Sequence, residues 1–197
     1  MSLEHVPYLN CSRLTRIRKG ATAFLAFLIL CFSIHPVSAA PGRTARATLL
    51  KDREYSEALL KGVREAKSTI LLSCYLFKMT GYPDSLPDRI AEELITAHNR
   101  GVAVTVILER SGDADDPLNG ENRKTASFMK RKGIKVAFDS LRTRTHLKTI
   151  VIDDRFVYIG SHNLTQSALK YNKEVSVLVD SPEMASELKS YLNGLAR

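Results

Sequence analysis

Short, almost continuous apolar runs, separated by stretches with helical spacing, are the feature that most limits the fold of this chain. Residues 68–77 (STILLSCYLF) and 102–108 (VAVTVIL) have the composition of strands covered on both faces. Residues 55–66 repeat apolar side chains at helical spacing, and 86–100 predicts a second helix that ends before Gly101. Further elements are predicted as a helix over 122–132, strands over 134–138 and 174–179, and a closing helix from Pro182. Alternating strands and helices predict an α/β fold in which helices cover a sheet.

The first forty residues have the layout of a secretory signal peptide. Basic residues between Arg13 and Lys19 precede the apolar run 21–33, and the small residues Ala39 and Ala40 follow. We expect residues 1–39 to be the signal peptide, with cleavage after Ala39 or Ala40, and 40–197 to be a periplasmic or secreted domain. The alternative is an uncleaved membrane anchor, although a bilayer span needs roughly 20 apolar residues.

Charge and cysteine content set broad limits on function. The whole chain carries a formal charge of +8, and loss of four Lys/Arg and one Glu with residues 1–39 would leave about +5. This is a modest bias toward polyanions, and it does not choose between nucleic acid and lipid. Cys74 would be the single cysteine of an exported product, so no intrachain disulfide is expected, and its apolar surroundings indicate an inert buried thiol.

Residues 146–163 (HLKTIVIDDRFVYIGSHN) predict a strand, a polar turn and a second strand whose ends share polar groups. If His146 and Lys148 lie on a strand, their side chains project to the same face. After the second strand, Gly160 permits close backbone approach, and Ser161 and Asn163 again share a face. Lys148, Ser161 and Asn163 could stabilise charge on the non-bridging oxygens of a phosphodiester.

A neutral imidazole at His146 could attack phosphorus and form a covalent phosphohistidine. A carboxylate behind the ring would fix its tautomer and orientation. Asp153 and Glu174 are the two candidates.

The spacing of these residues resembles the HKD signature of the phospholipase D superfamily. The matching positions are His146, Lys148, Asp153, Gly160, Ser161 and Asn163. Over most of the chain after the leader, the order of elements is similar to that of small exported bacterial endonucleases with a single motif. The resemblance implies a phospholipase D-like mixed sheet with helices on both faces. It also implies an orienting role for Glu174 and a largely structural, hydrogen-bonding role for Asp153.

One motif supplies one histidine, whereas the superfamily mechanism uses two. The resemblance therefore implies a homodimer in which His146 and Lys148 of both chains meet at the two-fold axis. One His146 forms the phosphohistidine and the other acts as general acid and then as base. The scheme requires no metal and no cofactor. A zinc site built from His146 and His162 is disfavoured because closely spaced further ligands are lacking, and His162 and His98 are predicted to have no chemical role.

The motif leaves the substrate open. Arg142 and Arg144 alternate just before His146 and could face a nucleic-acid phosphate, or could simply belong to a solvated strand edge. We expect a non-specific endonuclease acting on DNA or RNA. The alternatives are a phospholipase D or cardiolipin hydrolase acting on phospholipid, and a nucleic-acid-binding module without catalysis. The segment 78–87, which the shortest similar proteins lack, bears on this preference.

Overall fold

Residues 45–195 are described by a computed structural model. The strands are β1 Arg46–Lys51, β2 Thr69–Cys74, β3 Ala103–Leu108, β4 Lys135–Phe138, β5 Lys148–Ile152, β6 Phe156–Gly160 and β7 Val175–Asp180. The helices are α1 Arg53–Glu65, α2 Leu86–Asn99, α3 Pro117–Arg131, α4 Gln166–Lys170 and α5 Pro182–Leu195. The predicted signal peptide and its cleavage point lie outside the described residues.

All seven of these strands form a single mixed sheet in the order β1-β7-β6-β5-β2-β3-β4. The strands β2, β3 and β4 are parallel, and their crossover connections contain α2 and α3. The strands β5, β6, β7 and β1 form an antiparallel half, which joins the parallel half where β5 pairs with β2. The predicted α/β fold with a mixed sheet is confirmed.

Side chains alternate between two cores, one on each face of the sheet. On β2, Ile70 and Leu72 belong to the larger core, to which α1, α2, α3 and α4 also contribute. Leu71 points to the opposite face and joins the smaller core, which α5 covers with Ala185 and Leu192. Helices therefore cover both faces, as the sequence predicted. In the part of the chain that the structure describes, no helix is long and apolar enough to cross a bilayer.

Two elements, β1 and α4, give little sequence signal. The strand β1 lies at the edge of the sheet and buries Leu50 alone, so it lacks the apolar run that marks the inner strands. The helix α4 has five residues, which is too short for helical periodicity to emerge, and it begins where Thr165 Oγ1 accepts a hydrogen bond from Ala168 N.

Several predicted boundaries shift, and β2 ends at Cys74, three residues before the predicted end at Phe77. The helix α3 begins at Pro117, five residues before the prediction, because Asp116 caps it and Pro117 fits the first turn. Its first turns bury Asn119 and Asn122, and polar residues of this kind conceal the helical pattern. The strand β5 begins at Lys148, so His146 precedes the strand instead of lying on it.

The segment 78–87 is an ordered loop followed by the start of α2. Asp88 accepts hydrogen bonds from Thr80 N (2.8 Å) and Gly81 N (3.0 Å), and also from Ser85 Oγ. Burial opposes the charge of Asp88, but these hydrogen bonds outweigh it and lower the pKa of the carboxyl. The loop starts beside the end of β6, where Lys78 N donates to Leu164 O (3.0 Å).

Candidate active site

The candidate site lies at one end of the strands, where strands from both halves of the sheet begin or finish. The register pairs Cys74 at the end of β2 with Lys148 at the start of β5. It also pairs Gly160 at the end of β6 with Ser176 near the start of β7. Residues that follow β2 and β6 therefore lie at the same end of the sheet's strands as residues that precede β5 and β7.

His146 and Lys148 both lie against Tyr75, the residue that follows β2. The His146 imidazole is exposed and meets the Tyr75 ring edge-on, with 4.5 Å between ring centroids. Lys148 is buried, its Nζ donates to His146 O (2.9 Å), and it lies 5.0 Å from the Tyr75 ring centroid. Tyr75 N in turn donates to Leu147 O (2.8 Å). The sequence did not single out Tyr75, because the apolar run 68–77 places it inside the predicted strand, whereas β2 ends at Cys74.

The electrostatic surroundings favour a neutral imidazole. Partial desolvation lowers the pKa of His146 below 6.5, and the positive charges of Lys148 and Arg144 lower it further. Burial also lowers the pKa of Lys148 below 10.5, while the nearby carboxylate of Glu174 opposes that change. An unprotonated imidazole beside an ammonium suits nucleophilic attack on an anionic phosphorus centre.

Glu174, the residue before β7, bonds to Ser161, the residue after β6. Ser161 Oγ donates to Glu174 Oε2 and accepts from Val175 N (3.1 Å), and Asn172 Nδ2 donates to Glu174 Oε1 (3.1 Å). Asp52 holds the backbone of Glu174 at both its amide (3.1 Å) and its carbonyl (2.9 Å). The Glu174 carboxylate therefore bonds to Ser161 and Asn172, and no hydrogen bond within the described residues joins it to the His146 imidazole. Its orienting role stays a prediction.

Asn163 presents an amide that its neighbours leave free. Its Oδ1 is buried and has no hydrogen-bond partner among residues 45–195. The next residue is fixed, because Leu164 N donates to Leu76 O (3.0 Å) at the end of β2. A buried carbonyl oxygen without a partner costs about 1–3 kcal/mol, which a donor on a ligand would offset.

Comparison with known proteins agrees with this arrangement. Residues 59–196 match the family model described as "Cardiolipin synthase, PLD-like domain". The chain belongs to this family of the phospholipase D superfamily. The predicted resemblance is therefore confirmed.

Individual relatives support the family and the fold. A protein of Rickettsia bellii named phospholipase D is 34% identical over 133 residues, which are 67% of this chain and 59% of that protein. The crystal structure of Nuc, a phospholipase D family member from Salmonella typhimurium, is similar with a TM-score of 0.64 at 22% identity, covering 77% of this chain and 94% of Nuc. NucT from Helicobacter pylori has a TM-score of 0.61 at 21% identity, covering 77% of this chain and 96% of NucT. At these identities the two structures show a shared fold.

In this PLD-like domain, Asp153 lies at the opposite end of β5 from His146. It lies five positions along the chain from Lys148, which in a strand is roughly 16 Å. Its carboxylate accepts hydrogen bonds from the backbone amides of Lys67 (2.9 Å), Ser68 (2.8 Å) and Thr69 (3.1 Å). Burial raises the pKa of Asp153, but these hydrogen bonds outweigh it and the pKa lies below 3.8. Asp153 does not contact His146 or Lys148, so it is not the carboxylate behind the His146 ring, and its hydrogen bonds agree with the structural role that the resemblance implies.

Arg142 and Arg144 lie on the exposed loop between β4 and β5, not on a strand edge. Arg144 is close enough to His146 for its charge to lower the imidazole pKa. Phosphate binding by either arginine stays a prediction.

His162 is buried and fully engaged. Its Nδ1 lies 2.7 Å from Ser176 Oγ, its Nε2 lies 2.9 Å from Asp52 O, and its ring stacks on Tyr55 at 4.3 Å. These contacts agree with a structural role and leave neither nitrogen for a ligand. Within residues 45–195, no three His, Cys, Asp or Glu side chains are grouped so that they could hold a metal ion.

Gly160 and Cys74 also have structural explanations. A Cβ on Gly160 would lie 2.4 Å from Ser176 Cα, so the close approach of β6 and β7 requires glycine. The Cys74 thiol is buried, which raises its pKa to about 11. A thiol with that pKa is not a nucleophile at neutral pH.

Proposed function

We propose that this PLD-like domain is a metal-independent phosphodiesterase that acts as a homodimer, and that its substrate is nucleic acid. The observation that carries the proposal is the exposed His146 imidazole, with its lowered pKa, next to Lys148 on the Tyr75 surface. Asn163 lies at the same end of the strands, and its Nδ2 could donate to a phosphate oxygen.

The proposed reaction has two balanced steps. A ring nitrogen of His146 attacks phosphorus, a P–N bond forms, and the bond from phosphorus to the leaving oxygen breaks. His146 of the partner subunit donates its proton to that oxygen. Water then attacks phosphorus and gives a proton to His146 of the partner subunit as the P–N bond breaks. Because two nearby imidazoles disfavour double protonation, the pair would share one proton, as this scheme needs.

Lys148 and Asn163 would stabilise the transferring phosphoryl group. Within residues 45–195 the Lys148 ammonium has one acceptor, the His146 carbonyl, which leaves other N–H bonds for non-bridging oxygens. Ser161, whose hydroxyl is bonded to Glu174, lies at the same edge and would complete the anion site.

An apolar surface beside the site supports a second copy as the partner. Leu49, Ile159 and Val175 are 55%, 45% and 51% exposed on the adjacent strands β1, β6 and β7. Leu49 and Ile159 both pair with Val177, so they share the face of the sheet whose other end α5 covers. Burial of this patch against a second chain would bring Ser161 and Glu174, which lie next to it, close to the same residues of the partner.

The preference for nucleic acid is supported by the loop before His146. Arg142 and Arg144 are exposed, and neither has an ion-pair partner within the described range. Unpaired arginines beside the nucleophile suit the regularly spaced phosphates of a polymer.

A phospholipase D acting on phospholipid head groups is the second candidate. It is favoured by the name of the Rickettsia bellii relative, which is 34% identical. This chain spans 59% of that protein, so the remainder of the relative has no counterpart in the alignment.

A substrate panel tests the proposal. Three proteins are compared: wild type, His146→Ala and the control His98→Ala, which removes an imidazole from α2. Each is incubated with plasmid DNA, single-stranded DNA, RNA and vesicles of phosphatidylcholine or cardiolipin. Every reaction is run with and without a chelator. We expect cleavage of nucleic acid by wild type and the control, in chelator, and none by His146→Ala. Release of lipid head groups alone would favour the second candidate. Nucleic-acid binding without cleavage by any variant would indicate a binding module.

The arginine loop is tested separately by binding. In the His146→Ala background, Arg142→Ala together with Arg144→Ala should reduce the slope of log affinity against log salt by about 2. The matched pair Arg131→Ala and Lys132→Ala removes two exposed cations at the opposite end of the strands and should leave the affinity and its salt slope unchanged in the same background. Equal losses of affinity in both pairs would contradict a specific role for the loop.

A further inference from the structure

Two buried carboxylates lie at the ends of β3 and β4, outside the residues discussed so far. Glu109 follows β3 and is 2% exposed, and Asp139 follows β4 and is 5% exposed. Neither has an ion-pair partner in the part of the chain that the structure describes. Burial of a carboxylate is costly unless hydrogen bonds compensate for the lost water, so the donors that face these two groups are informative.

Both carboxylates accept hydrogen bonds from Thr145, the residue before His146. Thr145 N donates to Glu109 Oε2 (2.7 Å), and Thr145 Oγ1 donates to Asp139 Oδ2. The second oxygen of Asp139 accepts from Ser140 N (2.6 Å). Charge-assisted hydrogen bonds of this kind are about twice as strong as neutral ones.

Thr145 is the anchor of an otherwise exposed loop. In residues 140–146 it is the single buried residue, and its neighbours Arg144 and His146 are both exposed. The strand β5 fixes the chain from Lys148 onward, and Thr145 fixes it on the other side of His146. The imidazole is therefore held between two restrained backbone positions.

The support behind these carboxylates is itself rigid. Asn122 on α3 is buried, and its Nδ2 donates to Glu109 O (2.9 Å) and to Tyr75 O (2.9 Å). The group that fixes Glu109 thus also fixes the residue whose ring contacts His146. Both supports of the imidazole belong to one connected hydrogen-bonded unit.

We propose that Glu109 and Asp139 are positioning residues that fix His146 through Thr145. The inference rests on the proposed function of His146 as nucleophile and adds the groups that hold it in place. The reason for such a device is geometric, because a displacement of about 1 Å at a reacting group costs up to about 100-fold in rate.

The test compares variants that differ in one hydroxyl. Thr145→Val removes the donor to Asp139 at nearly constant side-chain volume, and Thr145→Ser keeps the hydroxyl. The matched control is Thr143→Val, which makes the same change at an exposed residue of the same loop. With single-turnover cleavage of an oligonucleotide, we expect Thr145→Val to lower kcat about 10- to 100-fold with KM little changed. Thr145→Ser and Thr143→Val should stay close to wild type.

The partner side uses Asp139→Ala, which removes the oxygen that accepts from Thr145 Oγ1 and leaves that hydroxyl without this partner. It should resemble Thr145→Val, and the double variant should be no worse than either single one, because both remove the same hydrogen bond. Additive losses would overturn the proposed pair.

A readout independent of activity separates this inference from the proposed function. The ring C–H resonances of His146, assigned by their loss in His146→Ala, should shift or broaden in Thr145→Val while those of His162 stay unchanged. If wild type cleaves no phosphodiester, the proposed function fails, and the resonances still test the anchor. The anchor is overturned if His146 resonances and kcat in Thr145→Val match those of Thr143→Val. It is also overturned if kcat falls only in proportion to the folded fraction measured by thermal unfolding.

Discussion

At the scale of single residues, the charge on His146 determines the pH at which the site can react. In the proposed reaction the neutral imidazole is the nucleophile, and its lowered pKa keeps it unprotonated to lower pH than an ordinary histidine. Arg144 contributes to this through its positive charge. A residue first considered for substrate binding thus also sets the chemical state of its neighbour.

Removal of that charge gives a pH prediction. Arg144→Ala should raise the pKa of His146, so the acid limb of the kcat/KM profile should move to higher pH. The measurement is the pH profile of cleavage at constant ionic strength, with a small phosphodiester whose leaving group carries no charge. Arg142→Ala is the control. A shift of the acid limb to lower pH, or equal shifts in both variants, would contradict the argument.

Gly160 gives a prediction about packing. In Gly160→Ala the new Cβ would lie 2.2 Å from Ser176 Oγ and 2.4 Å from Ser176 Cα, so β6 and β7 must separate locally. We expect a loss of about 1–3 kcal/mol in the free energy of unfolding, measured by urea denaturation. Gly112→Ala, where a Cβ meets nothing within 4 Å, is the control and should unfold like wild type.

At the scale of elements, the hairpin of β5 and β6 has a hydrogen-bonded turn at one end and the candidate site at the other. At its turn, Asp153 and Asp154 have φ of 54° and 52°, and Arg155 N donates to Ile152 O (3.1 Å), the geometry of a type I′ turn. The Asp153 carboxylate then ties this turn to the residues that lead into β2. The register of β5 on β2 is fixed far from the site, where substrate cannot disturb it.

Asp153→Asn tests this tie. It should lower the free energy of unfolding at pH 7 by about 1–3 kcal/mol, because hydrogen bonds from several amides to a charged group are lost. The folded-state pKa of Asp153 is depressed. Its contribution is therefore present above the unfolded pKa and is lost as pH falls through the folded one.

The difference between wild type and Asp153→Asn should thus shrink in strong acid, as measured by urea unfolding at several pH values. Asp154→Asn, which loses an exposed ion pair with Lys189, should cost less than about 1 kcal/mol. A constant difference at all pH values would show that the carboxylate charge is not the cause.

The sequence predicts elements whose burial leaves a regular pattern and misses those that depend on distant neighbours. Apolar runs located β2 and β3, and the His-x-Lys spacing located the candidate site. The edge strand β1 has one buried residue, so no pattern marks it. Tyr75 and Thr145 acquire their roles from contacts with residues far along the chain, such as Asn122 and Glu109, and spacing alone cannot encode such contacts.

At the scale of the whole molecule, the dimer proposal predicts that charge on the apolar patch separates the subunits. Val175→Glu should convert the protein to a monomer in sedimentation experiments and abolish cleavage, since each chain has one His146. Met184→Glu, at an exposed apolar residue of α5 outside the patch, is the control. A Val175→Glu protein that sediments as a monomer and cleaves at the wild-type rate would exclude a shared site.

The proposed export of the chain belongs to the same scale. We expect the secreted form to begin at Ala40 or Pro41, which N-terminal sequencing of protein from the periplasm or medium would show. A mature protein that starts at residue 1 or 2 and sediments with membranes would instead indicate the anchor.

The junction of β2 with β5 has a consequence for when the site comes into existence. His146 and Tyr75 meet only after the parallel and antiparallel halves of the sheet have joined across a long stretch of chain. In a newly made chain that has formed only its local hairpins and helices, the His146 imidazole therefore does not yet lie against the Tyr75 ring. If the chain is the exported phosphodiesterase proposed above, this late assembly would keep its unfolded precursor harmless to the cell that makes it.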